Sequence, residues 1–147
     1  MSRLFRPLVI ALPLAVTSLS AAAAPENMMV SDCWIRSMPG DVPSGGYFKL
    51  MNMSDKPVDL VGISTEAFGM SMLHQTQSSG STSKMVMVKK ATVPANGTLD
   101  FSPGGYHVMF EKAKQPLTVG TSIPVMFTFS DGEKVSSQCL VKNAAGQ

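Results

Sequence analysis

Ser122-Ile123-Pro124-Val125-Met126-Phe127-Thr128-Phe129-Ser130-Asp131-Gly132-Glu133-Lys134-Val135-Ser136-Ser137-Gln138-Cys139-Leu140-Val141-Lys142 is the part of the chain from which its architecture is most directly read. Val125, Phe127 and Phe129 alternate with Met126 and Thr128, the period of a strand with one face in a core. Asp131-Gly132 tolerates positive φ and suits a tight turn, so Ser122–Ser130 and Lys134–Lys142 read as a hairpin. Working outward, the same texture recurs. Short apolar or alternating runs cover Met29–Arg36, Gly46–Asn52, Val58–Ser64, Met70–Gln77, Lys84–Val93, Thr98–Ser102 and His107–Glu111. Turn residues punctuate them at Pro39-Gly40, Pro43 to Gly45, Asn96-Gly97 and Pro103 to Gly105. Gln77 to Ser83 reads as a flexible Ser/Gly loop. No stretch has the period of a long amphipathic helix. The expectation is an all-β domain, a sandwich or Greek-key barrel of nine short strands.

A length of 147 residues allows one such domain. The N-terminus reads as a separate export signal, residues 1–23, which leaves a single β domain over 24–147. Arg3 and Arg6 form its positive start, Leu8 to Leu19 its apolar stretch, and Ala21 to Ala24 its small-residue cleavage zone. Cleavage after Ala23 is favoured because Pro25 would be a poor first residue after a cut at Ala24. The apolar run is short and broken by Pro13, Thr17 and Ser18, which argues against an uncleaved span. No cysteine sits at the cleavage zone, so no lipid anchor is expected there. Removing the two arginines from 12 basic and 10 acidic residues leaves ten of each, a neutral mature chain. Such a chain has no electrostatic footprint for nucleic acid or an anionic membrane.

Cys33 and Cys139 are the only cysteines, one near each end of the exported part. An oxidising compartment favours joining them. Their spacing is far from C-x-x-C, which argues against thioredoxin-like chemistry.

The two histidines, His74 and His107, both belong to a spaced pattern with methionine: His74-x10-Met85-x21-His107-x-Met109. Period two places Met70, Met72 and His74 on one strand face, Met85 and Met87 on one face of the next, and His107 with Met109 on a third. Thioether sulfur selects copper(I) and imidazole accepts it, so this donor set points to copper(I) over zinc or iron. Each methionine taken singly, such as Met28, Met38 or Met126, is better read as packing. Met72 and Met87 stand on the ligand faces and compete for a place in the site.

These residues carry a resemblance. The spacing His-x10-Met-x21-His-x-Met resembles that of the periplasmic PCu(A)C copper chaperones. Cys33-Trp34-Ile35-Arg36 is similar to that family's Trp-x-Arg strand, and Gly46-Tyr47-Phe48 leading to Asn52 to its Tyr-rich strand. Val93-Pro94-Ala95-Asn96-Gly97 and Pro103-Gly104-Gly105-Tyr106-His107-Val108-Met109 extend the likeness, which covers Val30 to Val141. The resemblance implies a cupredoxin-like β-sandwich holding one copper(I) on His74, Met85, His107 and Met109. It further implies a monomeric periplasmic carrier without catalysis, delivering copper by ligand exchange to acceptors such as the copper centres of cytochrome c oxidase or their assembly factors. The cysteine pair is outside the signature, and the chain lacks the His/Met-rich tail of some members.

Four other readings compete. General copper homeostasis or resistance would use the same site. An electron-transfer blue-copper protein needs a Cys thiolate beside two histidines, and neither cysteine is near His107 in sequence. A secreted β-sandwich with incidental Met and His, or a thiol oxidoreductase using Cys33 and Cys139, would leave the pattern unexplained.

Overall fold

The structure, a computed structural model, describes residues 26–147. The export signal expected over residues 1–23 lies outside the described residues. Ten strands follow in order: β1 (Met28–Arg36), β2 (Ser44–Asn52), β3 (Val58–Ser64), β4 (Phe68–Ser79), β5 (Thr82–Met87), β6 (Ala91–Val93), β7 (Thr98–Phe101), β8 (Tyr106–Ala113), β9 (Ser122–Phe129) and β10 (Lys134–Lys142). No helix long and apolar enough to cross a membrane occurs among the described residues. The all-β expectation holds.

The strands form one continuous ladder, β5-β4-β8-β7-β2-β1-β10-β9-β3-β6, rather than two separate sheets. That sheet curls on itself. β3 packs on β4, and β6 on β2 and β7, without ladder pairing. The ring of Phe48 on β2 meets that of Phe127 on β9 edge-on, with centroids 4.7 Å apart. Curling gives the sheet an inner face, and the alternation seen in the sequence supplies its filling. Val125, Phe127 and Phe129 are buried while Met126 is exposed, and Leu73, Val108 and Phe110 line the same core from β4 and β8. Gly46 is required here, because a Cβ on it would sit 2.5 Å from the Phe110 ring.

The β9–β10 hairpin forms as read, with Gly132 at φ 89°. Two segments differ from expectation. Lys84–Val93 is not one strand: it ends as β5 at Met87 and resumes as β6 at Ala91, at opposite ends of the sheet. The inward positions are even up to Val88 and odd from Ala91, so the alternation slips by one residue across Lys89 and Lys90. The crossing is fastened on β3, where Asp59 accepts hydrogen bonds from Lys90 Nζ at 2.9 Å and Thr92 Oγ1 at 2.6 Å. Those two donors hold the Asp59 carboxyl below its ordinary pKa, the Thr92 hydroxyl contributing most. The Ser-rich segment 77–83 is not a loop either. β4 and β5 run to Ser79↔Thr82 and turn over Gly80 and Ser81, with Gly80 at φ 62°.

Cys33 and Cys139 are joined, with Cα atoms 4.5 Å apart and a sequence separation of 106. The bond sits where β1 runs parallel to β10, next to the pair Trp34↔Leu140. It ties the first described strand to the last.

Candidate metal centre

β4 lies between β5 and β8, and register decides what meets on its outer face. His74 stands directly opposite His107 on β8 and Met87 on β5. Met72 stands opposite Met109, and Thr76 opposite Met85. Directly paired residues share a face, so all six predicted donors lie on one side of these strands. Their chain neighbours Leu73, Val108 and Phe110 point the other way, into the core. Alternation thus fixes the imidazoles outward by anchoring the residues between them inward.

The two rings lie with centroids 5.8 Å apart and planes inclined by 23°. His107 is only 4% exposed although it faces out. Its Nδ1 lies 3.0 Å from the carbonyl oxygen of Gly105, which also accepts the Thr76 N–H at 3.1 Å. Donation from Nδ1 to that carbonyl leaves the Nε2 lone pair as the free ligand position, the usual way a second partner orients a metal-binding imidazole. Gly104, at φ 88°, makes the turn that places Gly105 there.

His107 Nε2 and His74 Nδ1 are both buried and have no hydrogen-bond partner. An unpartnered buried polar atom is uncommon and calls for a cause, such as an ion. Two on facing imidazoles, with thioethers around them, form a neutral, soft donor set. No group of three or more His, Cys, Asp or Glu occurs among the described residues, so a harder multi-carboxylate or thiolate site is not offered. The disulfide joins both cysteines, so neither is a free thiolate for a blue-copper site.

The thioethers differ in anchoring. Met72 and Met109 are half-buried, whereas Met85 and Met87 are 63% and 68% exposed. At the backbone Met87 is the direct neighbour of His74 and Met85 the diagonal one. The family spacing singles out Met85 and the register Met87, and a methionine side chain spans either distance. Sequence reasoning missed the Gly105 carbonyl, which only the backbone path reveals, and the residues that continue the face beyond β8, Gly45, Tyr47, Trp34 and Arg36.

Comparison with known proteins assigns the family. Residues 28–141 match the model described as "Putative lipoprotein LpqE-like". The chain belongs to the LpqE-like family. This LpqE-like chain is 29% identical over 122 residues to "Putative lipoprotein Lxx21020" of Leifsonia xyli subsp. xyli, spanning 82% of the chain and 73% of that protein. Among solved structures, the copper-bound PCuAC domain from PmoF2 superposes with a TM-score of 0.70 at 19% identity, over 82% of this chain and 97% of that one. The solution structure of CuI-DR1885 from Deinococcus radiodurans is 33% identical, with a TM-score of 0.66, over 82% of this chain and 81% of that one. The likeness to PCu(A)C proteins read from the sequence holds, and with it the cupredoxin-like β fold of this LpqE-like protein.

Proposed function

We propose that the protein is a periplasmic copper(I) carrier. It binds one copper(I) on His74, Met85, His107 and Met109 and passes it by ligand exchange to acceptor proteins, such as the copper centres of cytochrome c oxidase or their assembly factors. The single observation that carries this reading is the pair of buried, unpartnered nitrogens, His74 Nδ1 and His107 Nε2, on directly facing strands. The copper-bound state of two similar structures supports the choice of metal, and CuI-DR1885 supports the monovalent ion.

Chemistry explains why the site serves carriage. Neutral soft donors hold a monovalent soft ion without harder competitors. Met85 is exposed whereas Met109 is half-buried, so an incoming donor can replace Met85 first while the imidazoles keep hold. The lipoprotein names of the family and of its Leifsonia relative support export, and a cleavable signal over residues 1–23 is the route proposed. Met72 and Met87 remain as reserve thioethers on the same face.

Competition titration of the apoprotein with copper(I) under reducing, anaerobic conditions tests the reading. One equivalent should bind tightly. Unchanged affinity in the His74→Ala/His107→Ala variant would remove the site from these residues.

A further inference from the structure

The outer face that carries the imidazoles continues past β8. Met109 pairs with Gly45 on β2, Gly45 with Arg36 on β1, and Arg36 with Lys142 on β10. Directly paired residues share a face, so Arg36 and Lys142 stand on the same side of the sheet as Met109. Two strand spacings place the Arg36 backbone about 10 Å from that of Met109. Gly45, between them, has no side chain, and Tyr47 fills the space: a Cβ on Gly45 would lie 2.7 Å from the Tyr47 hydroxyl. The Trp34 and Tyr47 rings pack at 4.5 Å between centroids. Arg36 Cζ lies 5.5 Å from the Trp34 ring and 5.2 Å from the Tyr47 ring, and Lys142 Nζ 4.9 Å from Trp34.

This cluster holds two cations, and Gly146 of the C-terminal segment lies against the Trp34 ring. The ion pairs among the described residues are Lys49–Asp100 and Lys90–Asp59, and neither includes Arg36 or Lys142. Arg36 Nε is buried without a hydrogen-bond partner. That nitrogen is closed off beside the aromatic rings, so an incoming carboxylate meets the guanidinium through its two terminal nitrogens, in the planar, two-pronged manner of arginine.

We propose that Arg36 and Lys142, held on the Trp34–Tyr47 platform, dock an acidic segment of the protein that receives the copper. The aromatic rings restrict the guanidinium before binding, so less freedom is lost when a carboxylate arrives. Two cations are fewer than the cluster of basic residues an anionic membrane surface requires, which favours a protein carboxylate as the occupant. At about 10 Å from Met109, a docked acidic segment presents its own metal donors over His74 and His107. The partner's identity as a copper acceptor rests on the proposed function, whereas carboxylate docking does not.

Trp34 is the only tryptophan, so its fluorescence reads the platform directly. The probe is a short peptide with two methionines beside a Glu-Glu-Asp run, compared with a twin carrying Gln-Gln-Asn. Titrated into the apoprotein, the acidic peptide should shift Trp34 emission saturably and bind roughly tenfold tighter than its twin, with the advantage fading as salt rises. Arg36→Gln/Lys142→Gln should erase the difference, and Lys142→Gln alone, which spares the buried Arg36 packing, should reduce it. With copper(I)-loaded protein, transfer to the acidic peptide should be faster than to the twin, and the double variant should lose that advantage with copper(I) affinity unchanged. Equal binding of the two peptides, indifference to the substitutions, or a stronger Trp34 response to phosphatidylserine vesicles than to the peptide would each overturn docking. Failure of the protein to bind copper(I) would instead overturn the carrier reading, with the apoprotein titration still deciding the docking site.

Discussion

Replacing both Cys33 and Cys139 by alanine removes the one covalent link between β1 and β10. The closed loop has a sequence separation of 106, and a loop of about 100 residues corresponds to roughly 4.7 kcal/mol of lost chain entropy in the unfolded state. Measured native bridges more often contribute about 2–4 kcal/mol. Unfolding entropy of about 2.1 cal/mol/K per residue gives a domain of about 120 residues roughly 0.25 kcal/mol/K. The variant should therefore melt about 10–20 °C lower. Thermal unfolding followed by near-ultraviolet circular dichroism measures this, and addition of a reductant to the native protein should reproduce most of the loss. The bridge joins strands away from the imidazoles, so copper(I) affinity of the folded variant should stay within about twofold of the native value. A melting shift under about 3 °C would refute the reasoning, because the link would then constrain the unfolded chain far less than its length requires.

Met85→Ala and Met87→Ala distinguish the two candidate thioethers: copper(I) affinity should fall about tenfold or more for the true ligand and less than threefold for the spare. Gly46→Ala should destabilise the fold by about 1–3 kcal/mol in urea titration, since its methyl group meets the Phe110 ring. Asp59, whose pKa is lowered by Thr92 and Lys90, contributes stability that is present above the ordinary Asp value of about 3.9 and lost as pH falls through its lower folded value. Asp59→Asn should remove that part of the acid-side loss, seen as a flatter dependence of urea midpoint on pH in that region.

Much of this was legible in the residues because strand period and turn chemistry are local. Val125, Phe127 and Phe129 announce a buried face, and Asp131-Gly132 closes the hairpin beside it. Register is less local. Whether Met85 or Met87 stands opposite His74 depends on how tightly β4 turns into β5, and the Ser-rich segment conceals a two-residue turn at Gly80 and Ser81. The division of Lys84–Val93 was also hidden. Val86, Val88, Ala91 and Val93 offer apolar positions throughout, and β6 goes to the opposite end of the sheet through its ladder with β3 and the burial of Ala91 and Val93, with Lys90 and Thr92 bonded to Asp59, 31 and 33 residues away in sequence. Backbone groups carry no sequence signal at all, so the Gly105 carbonyl that orients His107 could not be foreseen.

β5 is the outermost strand at its end of the sheet, paired with β4 alone, and it contributes no buried side chain. Its amides should exchange with solvent well before those of β4 and β8, since opening it uncovers none of the core. The donors on β5 therefore belong to a different cooperative unit from the imidazoles on β4 and β8. Detaching the β4–β5 hairpin tip costs little of the global unfolding free energy, and it carries a thioether away while both histidines stay fixed. If Met85 holds copper(I) as proposed, loosening it is in this way uncoupled from melting the protein.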